Sequence, residues 1–228
     1  FFLARRAEFR IRILSKKELA SSFENIKNIT SLGMAGFIMQ LTNSLVTICC
    51  NNVLSVTGGD LYISVMTIIS SVRQMVETPL HAVTEGSSPI ISYNYGARRP
   101  KKVIRAWCTM TLLAFIYVLF MWLVILLIPE TLIRIFTSDE LLMADAVPAM
   151  KLYFAAFIFM LLQSTGQVMF KSLNKKKQAI FFSLLRKVFI VVPLTYFLPF
   201  GAHLGTNGVF LAEPVSNVIG GSLCFFTM

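Results

Sequence analysis

The chain has 228 residues, of which 56% are hydrophobic and 14% are charged, and its mean hydropathy is +0.71. Soluble globular domains carry about 25% charged residues, so this composition indicates an integral membrane protein rather than a soluble domain. The net charge of +10 does not indicate nucleic-acid binding, because the basic residues occur in short clusters between apolar runs. Such a pattern encodes membrane topology.

The amino-terminal segment, residues 1–27, is rich in arginine and lysine and predicts a cytoplasmic basic linker with a short interfacial helix. The charge-free run that follows is long enough for a first membrane span at 29–54. Gly58 and Gly59 predict a short turn before the second span, at 61–94.

Four later apolar runs are separated by polar loops, and each is long enough to cross the hydrocarbon core of a bilayer. They predict spans at 106–129, 146–170, 180–200 and 208–228. Together with the first two spans, they predict an all-α integral membrane fold with a lobe of six helices.

The distribution of lysine and arginine predicts the orientation of these spans. Nearly all of them lie in the amino-terminal segment and in the loops after the second and fourth spans, with Arg186 and Lys187 counted in the latter loop. The loops on the opposite side hold only Arg134. By the positive-inside rule, the basic segments face the cytoplasm.

The second predicted span carries charge inside the membrane. Its polar residues recur at three- and four-residue spacing and therefore share one face of a helix. Arg73 and Glu77 lie roughly 20 and 26 Å from its outer end, within a hydrocarbon core of about 30 Å. Charge at this depth should face a bundle interior or a water-filled cavity, and it indicates function. Pro79 and Pro89 are expected to break the helix nearer its cytoplasmic end.

Glu77 is interpreted as the cation-coupling residue, with Arg73 tuning its charge. We take Glu77 to be the only carboxylate far from both membrane surfaces; Glu213 lies about one turn into the last predicted span, where an interfacial position is equally open. The alternative is a self-neutralising structural ion pair between Arg73 and Glu77. Lys151 is expected to extend its amine from the outer end of its span towards water.

Polar side chains on three spans are predicted to line one cavity together with the charged pair. They are Gln40, Asn43, Thr47, Gln74, His81, Gln163 and Gln167. The alternative for the uncharged faces is hydrogen bonding that only holds the helices together, and the alternative for His81 is a packing role.

Signals of other functional classes are missing from the sequence. The four cysteines lie in apolar segments with no CxxC motif and no nearby histidine, so no metal site and no disulfide framework is predicted. There is no HExxH, no GxSxG and no glycine-rich loop followed by lysine, so we predict neither a catalytic residue nor an enzyme.

Several short motifs carry a family resemblance. Residues 85–97 read EGSSPIISYNYGA and resemble the cytoplasmic end of the second span in a lobe of multidrug and toxic compound extrusion (MATE) transporters. The FIMQL run at 37–41, the GGD turn at 58–60 and the basic loop at 174–177 are similar to the carboxy-terminal lobe of bacterial members. The resemblance covers essentially the whole chain.

The resemblance implies a carboxy-terminal six-span lobe of a twelve-span transporter in the bacterial inner membrane, in contact with lipid. An amino-terminal lobe of the same protein is the expected partner, and no nucleic acid is expected. The implied activity is export of organic cations in exchange for H⁺ or Na⁺ by alternating access, with no other cofactor. Several relatives carry carboxylates in the first and fourth spans, where this chain has amides such as Asn43 and Gln163.

Two alternatives to this function come from different classes. The first is a flippase for lipid-linked saccharides, from the related larger superfamily; a denser set of cationic residues in the cleft would favour it, because its cargo is anionic. The second is a membrane scaffold without transport activity, for which charge inside the membrane would be unnecessary.

The predicted topology can be tested by cysteine labelling in a variant that lacks the native cysteines. We expect Cys introduced at Ser138 to react with a membrane-impermeant thiol reagent from outside intact cells, because its loop lies opposite the basic segments. Cys at Ser15 or Asn174 should react only after the membrane is permeabilised. Labelling at Asn174 from outside would contradict the topology.

Overall fold

The computed structural model describes residues 23–228, so most of the predicted linker at 1–27 lies outside the described residues. The chain divides into two units, with the boundary between residues 38 and 39. In the first unit, the described residues belong to the beginning of one long helix. The second unit contains the remaining helices and both of the cavities considered below.

The described part of the chain is helical throughout, apart from short connections. Its α-helices, in chain order, are α1 Phe23–Thr57, α2 Gly59–Gly96, α3 Pro100–Leu127, α4 Pro129–Arg134, α5 Glu140–Tyr153, α6 Met160–Ser172, α7 Lys176–Leu184, α8 Val192–Tyr196 and α9 Thr206–Phe226. A 3-10 turn, Phe157–Phe159, precedes α6, and π-helical segments at Leu185–Val191 and Phe197–Gly201 flank α8.

Several of these helices are long and apolar enough to cross a membrane. Four stretches meet this condition by themselves, namely Gly36–Thr57, Pro100–Leu127, Lys177–Gly201 and Thr206–Phe226. A fifth span is formed if α5 and the helical segment Phe157–Ser172, which meet at an angle of 46°, are taken together. The helix α2 has 38 residues and is longer than any of these stretches. It is not one of them, and it carries Arg73 and Glu77 on its polar face. The predicted all-α membrane architecture is confirmed.

The helix α2 continues through both of its prolines. The expectation that Pro79 and Pro89 break it is wrong, because the structure has one helix from Gly59 to Gly96. A proline inside a membrane helix removes one backbone hydrogen bond, and neighbouring helices and hydroxyl side chains can compensate for that loss. The polar face of α2 is therefore presented along one uninterrupted helix.

The apolar face of α2 forms the centre of the main core. Its fully buried residues recur at three- and four-residue spacing and are Val65, Ile69, Val72, Val76 and Leu80. They belong to one hydrophobic cluster with residues of α3, α5 and α9, including Val118, Met150 and Phe210. This packing holds α2 so that its opposite, polar face points at the functional site described below.

Glycines let α9 lie very close to its neighbours. A Cβ atom at Gly221 would be 2.6 Å from the Phe159 carbonyl oxygen, and one at Gly166 would be 2.9 Å from Cys224 Sγ. Small residues at such positions allow the close backbone approach that is typical of membrane helix interfaces. The contact places α9 directly against the beginning of α6.

Gly221→Ala tests this close approach. The added methyl group would meet a backbone carbonyl that cannot rotate away, so we expect a loss of about 1–3 kcal/mol of stability. Thermal unfolding of the purified protein in detergent would measure it. Gly86→Ala is the matched control, because a Cβ at Gly86 meets nothing within 4 Å; equal stability of the two variants would contradict the packing.

Candidate functional site

Charged side chains from three helical spans meet inside the bundle. Arg73 and Glu77 come from α2, Arg186 and Lys187 from the π-helical segment before α8, and Glu213 from α9. Arg186, Lys187 and Glu213 are all buried, and Arg73 and Glu77 are mostly buried. We refer to these five residues as the charge cluster.

Glu213 is the residue on which the three cations converge. Its Oε1 atom lies 2.9 Å from Arg73 Nη2, 3.2 Å from Lys187 Nζ and 3.5 Å from Arg186 Nη1. A buried charge is strongly unfavourable unless a partner of opposite sign compensates it. Glu213 therefore compensates three buried cations at once, and they in turn stabilise its carboxylate.

Arg73 connects the two carboxylates of the cluster. Its Nε donates a hydrogen bond to Glu77 Oε1 while its Nη2 pairs with Glu213, and its Nη1 donates to the hydroxyl of Tyr153. The guanidinium carbon lies 5.8 Å from the centre of the Tyr153 ring, within the range of a cation–π contact. The planar guanidinium, with donors pointing in several directions, suits this bridging position better than an ammonium would.

The two carboxylates have different surroundings. The Glu213 side chain is 5% exposed, whereas that of Glu77 is 17% exposed. Besides Arg73, the nearest charged or titratable partner of Glu77 is His81, whose Nε2 lies 4.0 Å from Glu77 Oε2. Glu77 is thus the carboxylate of the cluster that a small cation can reach more easily.

The two neighbouring basic residues, Arg186 and Lys187, are buried together in a π-helical segment that packs against α9. Leu185–Val191 is π-helical, a wide form of helix that is often found at functional sites. The stem of Arg186 lies against Gly220 of α9, where a Cβ would be only 2.7 Å from Arg186 Cγ. Arg186 Nη1 also donates to Asn217 Oδ1 on the same helix.

Two cavities border the charge cluster. The larger has a volume of about 270 Å³, and its wall includes Arg73, Glu77, Lys187 and Glu213. The smaller has a volume of about 120 Å³ and is lined by Arg186 as well as by Arg73, Glu77 and Lys187. Three charged residues therefore contribute to both cavities.

The structure brings together most of the side chains that the sequence predicts to line a cavity. Asn43, Thr47 and Gln74 line the larger cavity, and Asn43, His81, Gln163 and Gln167 line the smaller one. Gln40 is exposed and is not among the lining residues of either cavity. It lies on the same helix as Asn43, so the spacing along α1 predicted its element correctly but not its surroundings.

Two expectations about charge are wrong. Glu213 is buried in the bundle and pairs with Arg73, so Glu77 is not the only deep carboxylate. Arg186 and Lys187 lie within the apolar stretch Lys177–Gly201 and not in a basic loop. A signal was present in the sequence, because both interrupt an otherwise apolar run and Glu213 is followed by Asn217 one turn later.

A second polar contact joins α2 to α6 beyond the charge cluster. Lys171 Nζ pairs with Glu85 Oε1 at 2.6 Å, Ser88 and Ser172 hydroxyls are 2.8 Å apart, and Ser92 donates to the Ser172 carbonyl. This contact joins the end of α6 to the part of α2 where the motif at 85–97 begins. Within the described residues, no group of three or more His, Cys, Asp or Glu side chains is arranged to hold a metal ion.

The chain matches known proteins at the level of family and fold. A sequence profile of the MatE family matches residues 35–197. The fold is similar to that of a multidrug resistance MATE family transporter of the MOP superfamily in an outward-facing conformation, with a TM-score of 0.88 and 18% identity over 99% of this chain and 50% of that one. No curated protein matches the chain.

Two further solved structures are similar to the same extent. A MATE protein in a straight conformation matches with a TM-score of 0.87 and 19% identity, over 99% of this chain and 50% of that one. A MOP superfamily transporter from Pyrococcus furiosus gives the same four values and is described as having a binding pocket of reverse polarity that suggests a different function. The chain thus spans about half the length of these solved transporters.

Glu213→Gln tests the central role of that carboxylate. Removing its charge leaves Arg186 and Lys187 without an acidic partner in the described structure, so we expect a loss of about 3–5 kcal/mol. Membrane abundance and thermal unfolding in detergent would measure this loss. Glu130→Gln, at an exposed position outside the cluster, is the control; wild-type stability of Glu213→Gln would contradict the assignment.

Proposed function

The chain belongs to the MatE family, and from this premise we propose that it is part of a secondary transporter that exports its substrate in exchange for H⁺ or Na⁺ by alternating access. The predicted fold class, a six-span helical lobe of a MATE-like transporter, is confirmed by the family match and by the fold. The exchange mechanism and the ion are proposals supported by the charge cluster.

The observation that carries the proposal is the position of Arg73 between two carboxylates on different helices. Arg73 pairs with Glu77 of its own helix and with Glu213 of α9. A proton or Na⁺ that binds Glu77 weakens its attraction for Arg73, and the guanidinium can then pair more fully with Glu213. Occupation of Glu77 therefore changes the balance of contacts between α2 and α9.

A change in helix contacts is what coupling requires. A ligand shifts a conformational equilibrium only by the difference between its affinities for the two states. In the proposed cycle, the coupling ion favours the state in which Glu77 accepts it, and substrate in the adjoining cavity favours the other state. Glu77 is the acceptor in this scheme, Arg73 tunes it, and the polar residues of the larger cavity, including Asn43, Thr47 and Gln74, contact the substrate.

The rest of the transporter is proposed to be an amino-terminal lobe of the same protein. Sites for drug-sized ligands usually have volumes of about 300–1,000 Å³, whereas the larger cavity described here has about 270 Å³. A second lobe facing this cavity would complete a cleft of the required size. We place the complete transporter in the bacterial inner membrane, with no catalytic step.

The structural matches support transport and do not favour the alternative function of a saccharide flippase. The scaffold alternative has no need for a buried cluster of five charges beside two cavities. An organic cation, which the family resemblance implies as substrate, is the alternative to the anion inferred below; it would bind at Glu77, the more accessible carboxylate of the cluster, in competition with Arg73.

Glu77→Gln separates coupling from stability. Arg73 keeps Glu213 as a partner in this variant, so we expect normal membrane abundance and at least about a tenfold loss of ion-driven flux. Efflux driven by a proton or sodium gradient, in vesicles containing the complete protein, would measure it. The control is Asp60→Asn, which removes an exposed carboxylate in the first turn of the same helix.

Two results would contradict this assignment. Wild-type ion-driven efflux by Glu77→Gln at normal abundance would move the coupling site elsewhere in the protein. Loss of the variant from the membrane would show that the Arg73–Glu77 pair is structural, which is the alternative to a coupling role.

A further inference from the structure

We infer that the two cavities beside the charge cluster bind an organic anion, whose acidic group lies at Lys187 and Arg186. This inference rests on the proposed transport function and names the class of its substrate. It is supported by three cations inside the bundle that lie beside two carboxylates and an adjoining apolar wall.

The formal charges of the cluster do not cancel. With every group ionised, Arg73, Arg186 and Lys187 contribute three positive charges, and Glu77 and Glu213 contribute two negative ones. Glu213 contacts all three cations, while the ionisable partners of Glu77 among the described residues are Arg73 and, at 4.0 Å, His81. Because an uncompensated charge in a buried site is costly, a further anion in the cavities would be stabilised.

Lys187 has capacity for such a ligand. Its ammonium has three donors, and the hydrogen bond it makes in the described structure goes to Glu213 Oε1. Lys187 lines both cavities, so an acidic group in either one can approach it. The acidic group would then receive charge-assisted hydrogen bonds, which are stronger than neutral ones.

The smaller cavity adds unsatisfied polar atoms. Arg186 Nε and Gln163 Oε1 are buried and have no hydrogen-bond partner among the described residues, and both side chains line this cavity. Buried polar atoms are nearly always hydrogen-bonded. Arg186 supplies a donor for an acidic oxygen, and Gln163 supplies an acceptor for a hydroxyl or amine on the same ligand.

The larger cavity indicates that the ligand is organic. Beside Lys187 its wall includes Val46, Met66, Val191 and Val209. A hydrated inorganic anion gains nothing from contact with such side chains, whereas the apolar body of an organic carboxylate or sulfonate is removed from water there. The arrangement therefore favours a ligand with an acidic end and an apolar end.

Equilibrium binding of two probes of equal size tests the inference. Naphthalene-2-sulfonate and trimethyl(2-naphthyl)ammonium share one ring system and carry opposite charges. With the complete protein in detergent, we expect calorimetry to give a Kd at least about tenfold lower for the sulfonate. A Kd that is equal for the two probes or lower for the ammonium would overturn the inference, as would failure of both to bind.

Variants locate the site of binding. Lys187→Gln should weaken sulfonate binding at least about tenfold, and the control Lys151→Gln, which removes an exposed cation outside the cluster, should leave it unchanged. Glu77→Gln removes a negative charge from both cavities and should strengthen sulfonate binding by about threefold or more. If Lys187→Gln does not fold, the Glu77→Gln result decides, and weaker sulfonate binding by that variant would overturn the inference.

The binding measurement is independent of the proposed coupling. It uses no ion gradient and no flux, so a failure of Glu77→Gln to alter ion-driven efflux leaves the sulfonate result untouched. Conversely, a protein that exchanges substrate for an ion but prefers the ammonium probe contradicts only the substrate class.

Discussion

Compensation of buried charge by Glu213 is the constraint on which the rest of this structure depends. Three cations from two helical spans reach a single carboxylate oxygen on a third span. A charge buried inside a membrane bundle needs a partner of opposite sign, so Glu213 holds the three spans together at this point. The close approach of α9 to its neighbours, which Gly220 and Gly221 permit, follows from the same requirement.

Arg73 gives the cluster a property that a simple ion pair lacks. It contacts Glu77 on α2 and Glu213 on α9 at the same time, so the strength of one contact affects the other. A coupling ion at Glu77 and a substrate in the adjoining cavities would act on the same guanidinium, one by neutralising its partner and the other by changing the local charge. The proposed exchange of ion and substrate would depend on this shared contact.

The family resemblance implies both a transport function and a cationic substrate. The excess of cations over carboxylates in the cluster bears only on the second of these, the charge of the substrate. Membership of the MatE family is the basis of the proposed transport function. The charge of the substrate depends on the residues that line this particular cavity, because a fold supports many different sites. Here the lining contains Lys187 and Arg186 as well as Glu77, which is why we propose an organic anion as the substrate.

The sequence by itself determined the membrane character, the helical fold class and the polar face of α2 with Arg73 and Glu77, because length, hydropathy and helical periodicity are local properties. It misassigned Arg186 and Lys187, because a pair of basic residues is typical of a loop. It also did not identify Glu213 as a deep carboxylate, because an acid near the end of a span is commonly interfacial. Their partners are distant in sequence: Glu213 pairs with Arg73 across the bundle, and Arg186 lies against Gly220. Only the tertiary structure, which brings α2, the π-helical segment and α9 together, decides that these charges share one buried site.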